Sequence, residues 1–227
     1  MSEIKTLLRL EAVSKRRGDV VSLKGVNLSL GKGDVAIVSG RSGSGKTSIC
    51  KIAALLDTDF KGDLRICDAR PNSSNGGQKL RLAKIGYIPQ FNGLVDTLTI
   101  RENIGLPLEL LKVPFISDKV ENIASRLGIS NLLNRFPAQV SGGEAQRTAV
   151  ARAVVKSPSL IVADEPLSCL DKESALSVCE VFNEFIREDG ERSILITSTA
   201  ADTEFMEPLK VSMTYSMKEG RLTRAET

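Results

Sequence analysis

Three short stretches of this chain carry residue types that handle phosphate. The first is Gly40-Arg41-Ser42-Gly43-Ser44-Gly45-Lys46-Thr47. Glycines at these places let the backbone curl closely round an anion and aim its N–H groups inward, helped by the helix N-terminus that follows. Lys46 then neutralises β- and γ-phosphate oxygens, and Thr47 offers a hydroxyl to Mg²⁺; the plain alternative is a glycine-rich turn at a helix start. The second stretch is Leu160-Ile161-Val162-Ala163-Asp164-Glu165-Pro166. Four apolar residues set Asp164 at the C-terminal end of a buried strand, where ligands collect in open α/β sheets. Two adjacent acids there are costly without a cation. Asp164 holding Mg²⁺ through water, with Glu165 polarising an attacking water, answers that cost; an acidic strand-to-loop turn is the bland reading. The third stretch, Val140-Ser141-Gly142-Gly143-Glu144-Ala145-Gln146-Arg147, reads as a capping box with Ser141 at the cap and Glu144 at the third position of a helix from about Ala145 to Lys156. Two glycines at a capped helix start favour close approach to an anion.

The elements that must position these residues follow from periodicity. From Leu7 to Leu30 apolar residues recur in short runs, and Val26, Leu28 and Leu30 alternate at period two, so the chain opens with strands in a mostly antiparallel layer. Val35 to Val38 is a buried strand feeding the glycine-rich loop, which leads into a helix from Thr47 to about Leu56. Asn72 to Gln78 reads as a polar turn region, and Ile85 to Ile88 as a strand ending at Gln90. Helical patterns then take over: Ile100 to Leu111 interrupted by Pro107, Asp118 to Leu127 stopped by Gly128, and a short Asn131 to Phe136 piece ended by Pro137. Strands return at Leu160 to Ala163 and Ile194 to Thr197, with a helix from Lys172 to Arg187 between them. That alternation implies right-handed crossovers and a parallel sheet covered on both faces. The expected organisation is one domain, 1–227, with a core at about 1–90 and 141–227 and a helical subdomain inserted at about 91–140.

Bulk properties narrow the function. A chain of 227 residues with 41% hydrophobic content can bury a sizeable core in one domain. Lys+Arg 31 against Asp+Glu 28 leaves +3, with no long single-sign run, so nucleic acid is not an expected partner. Cys50, Cys67, Cys169 and Cys179 are far apart and form no CxxC pair, so neither a disulfide framework nor a zinc site is indicated and a reducing cytoplasm fits. No stretch of about 18 consecutive apolar residues occurs, nor a signal-peptide pattern at the start, so membrane work would need other chains to do the spanning.

In this order and spacing, the three stretches resemble the ATPase subunit of ATP-binding-cassette (ABC) transporters, and the resemblance runs over nearly the whole chain. Leu98-Thr99-Ile100-Arg101-Glu102-Asn103-Ile104 with Leu106-Pro107-Leu108 is similar to the lipoprotein-releasing and macrolide-export branch. The resemblance implies an α/β phosphate-loop fold with a mostly parallel sheet, an N-terminal antiparallel β layer and an inserted helical subdomain. It implies ATP and Mg²⁺ as cofactors, with residues 40–47 and Ser48 on the phosphates, Thr47, Gln90 and Asp164 toward the metal, and Glu165 and Gln90 at the attacking water. Ser141, Gly142, Gly143 and Glu144 would face the γ-phosphate held by a second cassette in a head-to-tail dimer, homomeric or heteromeric. Ser168-Cys169-Leu170-Asp171 would communicate across that dimer. A groove between core and helical subdomain would grip a membrane-spanning permease subunit, placing the protein in the cytoplasm at the membrane's inner face. A non-transport ATPase or ATP-binding switch of the same family is the competing reading.

Two family features are missing. The aromatic ring that stacks on adenine is replaced by Arg17, whose planar guanidinium could stack on the base. The chain has no histidine, and Ser198 in Ile196-Thr197-Ser198-Thr199 stands at the switch-histidine position. A serine hydroxyl can hydrogen-bond phosphate or water but is shorter and uncharged. Losing a positioned polar catalyst costs on the order of 10²–10⁴ in rate, so the expectation is hydrolysis that is slow, that rests on Glu165 and Gln90 alone, or that occurs only with a different partner supplying a complete site.

Overall fold

A computed structural model describes residues 6–18, 20–71, 76–199 and 205–225, and the side chain of Arg17 lies outside the described part. The chain opens with β1 (Thr6–Arg17) and β2 (Val20–Gly31), which pair antiparallel; β1 also pairs with β4 (Lys61–Ile66) to give a three-stranded layer in the order β2-β1-β4. Its inward residues, Leu8, Leu10, Leu28 and Leu30 among them, are buried as the period-two pattern requires.

The second sheet has six strands in the order β5-β6-β7-β3-β8-β9. β3 (Val35–Gly40), β5 (Ile85–Ile88), β6 (Leu160–Asp164), β7 (Ser193–Ser198) and β8 (Met213–Lys218) run parallel, and β9 (Arg221–Arg224) closes the edge antiparallel. β6 is buried along its whole length, which explains its unbroken apolar run. One apolar cluster fills the space between this sheet, the antiparallel layer and α1 (Lys46–Ala53); Val38, Ile49, Ile52 and Val162 belong to it. The other joins the opposite sheet face to α5 (Gly142–Val154) and α6 (Lys172–Arg187), and runs on into α3 (Ile100–Leu110) and α4 (Ile116–Arg126). The fold is therefore α/β with a mostly parallel sheet and a separate antiparallel layer, as the sequence pattern predicts.

Several details differ from the sequence reading. Residues 76–78, read as the end of a polar turn, begin α2 (Gly76–Lys84), whose lack of any buried residue removes the apolar periodicity that would have revealed it; residues 72–75 of that expected turn lie outside the described residues. Pro107 does not interrupt α3, which continues to Leu110. Asn131 to Phe136 is not a helix; a single 3₁₀ turn, Ser130–Leu132, stands there, followed by another at Pro137–Gln139. The start of α3 is held by a capping box between Thr99 and Glu102 and by fully buried Asn103. Asn103 donates to the carbonyls of Val95, Leu98 and Thr99 at 3.0 Å each and accepts from Val95 N–H at 2.8 Å. That amide satisfies a partly buried loop backbone that has no sheet to pair with.

Candidate functional site

Chemistry-bearing residues collect at the C-terminal ends of β3, β6 and β7. β3 ends at Gly40, and the loop that follows turns through Gly43 and Gly45, with φ of 76° and 116°, into α1. Gly40 and Gly45 are required for a second reason. A Cβ on Gly40 would lie 2.5 Å from the Met217 carbonyl, and one on Gly45 2.6 Å from the Ser22 carbonyl. The loop is thus pressed against β2 and β8 and keeps its curl. With Gly45 at the cap, the N–H groups of Lys46, Thr47 and Ser48 have no intrahelical acceptor and form, with the helix dipole, a place for an anion. Lys46 is buried and folds back over the loop, donating to the carbonyls of Gly40 at 2.7 Å and Arg41 at 3.1 Å. Ser44 Oγ is buried without a hydrogen-bond partner among the described residues.

The β6–β7 register sets the acids. Asp164 lies across from Thr197, and Thr197 Oγ1 donates to Asp164 Oδ1 at 2.7 Å while accepting from Glu165 N–H at 3.1 Å. One hydroxyl therefore fixes both members of the acidic pair. The other oxygen, Asp164 Oδ2, is buried and has no hydrogen-bond partner among the described residues. A buried carboxylate oxygen left so is costly, and a hydrated cation would satisfy it. Glu165 adopts φ 49°, the left-handed region unusual for a side-chain-bearing residue, and this turns its carboxylate back toward the loop. Its Oε1 lies 3.0 Å from Lys46 Nζ, and its Oε2 accepts from Gln90 Nε2 at 2.9 Å. The structure thus brings Lys46, Gln90 and the adjacent pair Asp164 and Glu165 together from three separate stretches.

Ser198 ends β7 beside Ser39 of β3, fully buried, with Oγ donating to the Thr199 carbonyl at 2.7 Å. Reaching a phosphate requires giving up that bond. Arg17 closes β1 across from Val20, but the stacking role expected of it rests on a side chain outside the described part.

Ser141 and Glu144 form the expected reciprocal cap: Ser141 N–H donates to Glu144 Oε2 at 2.7 Å and Glu144 N–H to Ser141 Oγ at 3.3 Å. The backbone N–H of Ser141 holds the Glu144 carboxyl below the usual glutamate range. Ser141 and Gly142 are exposed, as are Ser168, Cys169 and Asp171, so this face is open to a second molecule. Asp171 caps α6, accepting from Ser174 N–H at 2.9 Å. Ser174 Oγ in turn accepts from Arg147 of α5, and Gln146 Nε2 donates to the Pro166 carbonyl at 3.3 Å. The capped helix and the acidic strand end are therefore one connected unit.

Three contributors carry no role in the sequence reading: Thr197, Gln146 and Arg147. Thr197 has a legible signal, a hydroxyl closing an otherwise apolar buried strand. Gln146 and Arg147 have none, because their partners are twenty or more residues away.

Comparison with known proteins agrees with this geometry. A family profile described as ABC transporter matches residues 23–168. The chain is 38% identical over 198 residues to the ABC transporter ATP-binding protein YxdL of Bacillus subtilis, covering 84% of this chain and 77% of that one. It is 33% identical over 212 residues to the lipoprotein-releasing system ATP-binding protein LolD of Buchnera aphidicola, covering 92% and 90%. Among solved structures, the ATP-binding cassette MJ0796, a dimer in a post-hydrolysis state bound to ADP and Pi, superposes with a TM-score of 0.88 at 27% identity over 97% of this chain and 98% of that one.

Proposed function

This chain belongs to the ABC transporter family as an ATP-binding ATPase subunit, of the same kind as the lipoprotein-releasing cassettes, and from that premise we propose that it works as a head-to-tail dimer driving a separate membrane-spanning permease. Each of two ATP molecules would lie between the glycine loop of one cassette and Ser141, Gly142, Gly143 and Glu144 of the other. The observation that carries this reading is the position of Glu165. Its carboxylate is anchored by Lys46 and Gln90 at the end of β6, beside Asp164 with its unpartnered Oδ2.

In this reading the N–H groups of residues 43–48 and the Lys46 ammonium hold the phosphates, while Thr47, Asp164 and Gln90 hold Mg²⁺. Bound there, Mg²⁺ would neutralise charge on the β- and γ-phosphates. Glu165 orients the attacking water and accepts its proton, and Gln90 keeps Glu165 aimed. Arg17 stacks on the adenine. Residues 91–140 act as the helical subdomain of the single domain, and the groove where α3 meets α2, β5 and α5 receives the permease.

Hydrolysis is slow in this proposal. The chain has no switch histidine, and Ser198 is engaged with Thr199, so catalysis rests on Glu165 and Gln90. No helix among the described residues is long and apolar enough to cross a membrane, so attachment at the inner face of the membrane comes through the permease.

The dimer is tested by light scattering of Glu165→Gln with and without ATP. A doubling of mass with ATP supports the sandwich; a mass unchanged at saturating nucleotide sinks it.

A further inference from the structure

Where α2, β5, α3 and α5 meet, a groove of about 540 Å³ opens onto the surface. Its apolar part comes from Leu56, Leu82, Tyr87, Leu106, Pro107 and Leu110, and Leu110 is 60% exposed. Its charged part has a single sign. Arg81, Arg152 and Lys156 line it, and among the described residues no aspartate or glutamate does.

These three cations form no salt bridge among the described residues. Arg81 Nη1 donates to the Leu55 carbonyl at 3.1 Å, Arg152 Nη2 to the Asn92 carbonyl at 3.1 Å, and Lys156 Nζ to the carbonyls of Arg81 and Leu82 near the end of α2. All of those acceptors are neutral. Several other cations have carboxylates: Lys15 meets Asp57, Arg101 meets Glu121, Arg126 meets Glu184, and Arg192 meets Glu188. Half-buried charge without a counter-ion is unfavourable, and the groove concentrates three such charges beside an apolar strip. The cost is visible in the titration of Lys156, pulled down to about 8 by burial and then by the nearby Arg81 cation, and burial also pulls Arg152 down. Each cation keeps N–H groups beyond those named: an ammonium has three and a guanidinium five.

Resting on the permease reading given above, we propose that the segment of the membrane subunit seated in this groove presents an apolar face to Leu106 and Leu110 and at least one aspartate or glutamate to Arg81, Arg152 and Lys156. The apolar strip gives area and the carboxylate gives register, the usual division of labour when a helix lies in a groove. Supplying the missing anion turns three poorly compensated charges into paired ones. A neutral or basic segment of the same shape would leave them unpaired and bind more weakly.

The test uses the tagged full-length protein recovered with its membrane subunit in mild detergent from the cells it comes from. A water-soluble carbodiimide then condenses amines with contacting carboxylates to amides, with loss of water to the reagent. Mass spectrometry of the cross-linked peptides is expected to join Lys156 to an aspartate or glutamate of the retained membrane protein. Lys156→Arg should keep the membrane protein and lose that cross-link. The double variant Arg152→Gln with Lys156→Gln should lose retention at least tenfold while binding ATP as the wild type does. Equal retention by the double variant, or Lys156 cross-links that never include the retained protein, overturns the proposal. If the wild type retains no multi-span membrane protein, the permease reading falls, and the charge proposal falls with it.

Discussion

Lys46 Nζ lies 3.0 Å from Glu165 Oε1, so the lysine of the phosphate loop and the carboxylate at the end of β6 neutralise each other directly. Both are nearly buried, which makes the contact stronger than a surface pair and ties the loop to the sheet. A triphosphate entering the loop would compete with Glu165 for the same ammonium. Glu165→Gln removes that competition while leaving an amide that can still bond Gln90. ATP should bind at least as tightly as to the wild type, with release of phosphate lowered on the order of 10²–10⁴. Titration calorimetry beside a phosphate-release assay checks both halves; weaker binding in the variant would contradict the competition.

Thr197 is the second lever. Its hydroxyl holds Asp164 Oδ1 and the Glu165 N–H at once, and all of these atoms are buried. Thr197→Val keeps the shape and removes the hydroxyl, leaving Asp164 Oδ1 short of its donor while the Glu165 N–H keeps the Thr197 carbonyl at 3.1 Å. Stability should fall by about 1–3 kcal/mol. Hydrolysis should fall more than nucleotide affinity does, because the acids are misplaced while the loop is untouched. Thr197→Ser restores the hydroxyl and should restore the rate; chemical denaturation and steady-state kinetics on the three proteins decide it.

Ser198 should matter less than its position in the family would imply. Its Oγ is donated to the Thr199 carbonyl inside a fully buried strand end. Ser198→Ala is expected to lower hydrolysis by less than about tenfold, short of the 10²–10⁴ of a positioned catalyst. A larger loss with ATP affinity unchanged would show that the hydroxyl turns to the phosphate during turnover.

Lys156 provides a pH signature. Its value near 8 lies below the ordinary lysine value of 10.5 because burial, then Arg81, disfavour the ammonium. Removing that neighbouring charge in Arg81→Gln should move the midpoint of Lys156 acylation upward. The linkage follows the same sign. Between about 8 and 10.5 the unfolded chain holds a proton on this lysine that the folded protein does not, so its contribution to stability rises with pH across that window. Lys156→Met should flatten that rise relative to the wild type in denaturation curves collected from pH 7.5 to 10.5.

The local motifs were readable because their geometry is set by neighbours in sequence. A glycine loop between a buried strand and a helix, and a serine three residues before a glutamate, each dictate their own fold. β6 was equally plain, being buried on both faces. α2 was not, since it buries no residue and so has no apolar stripe. Pro107 misled because a proline late in a helix removes one hydrogen bond without ending the element when tertiary packing holds both sides; here it is buried and α3 continues to Leu110. At the site, Gln90, Lys46 and Glu165 were each identifiable alone. Their meeting was not, because it depends on the β5-β6-β7-β3 strand order and on the left-handed turn at Glu165. The tie through Thr197 is likewise a product of strand register.

The most direct measurement is the steady-state rate of Mg²⁺-ATP hydrolysis as a function of protein concentration, with Glu165→Gln as the blank. A slow rate that rises faster than linearly with protein and vanishes in the variant is expected of a site shared by two cassettes and run by Glu165. A rate proportional to protein concentration throughout, or one that survives in Glu165→Gln, would contradict it.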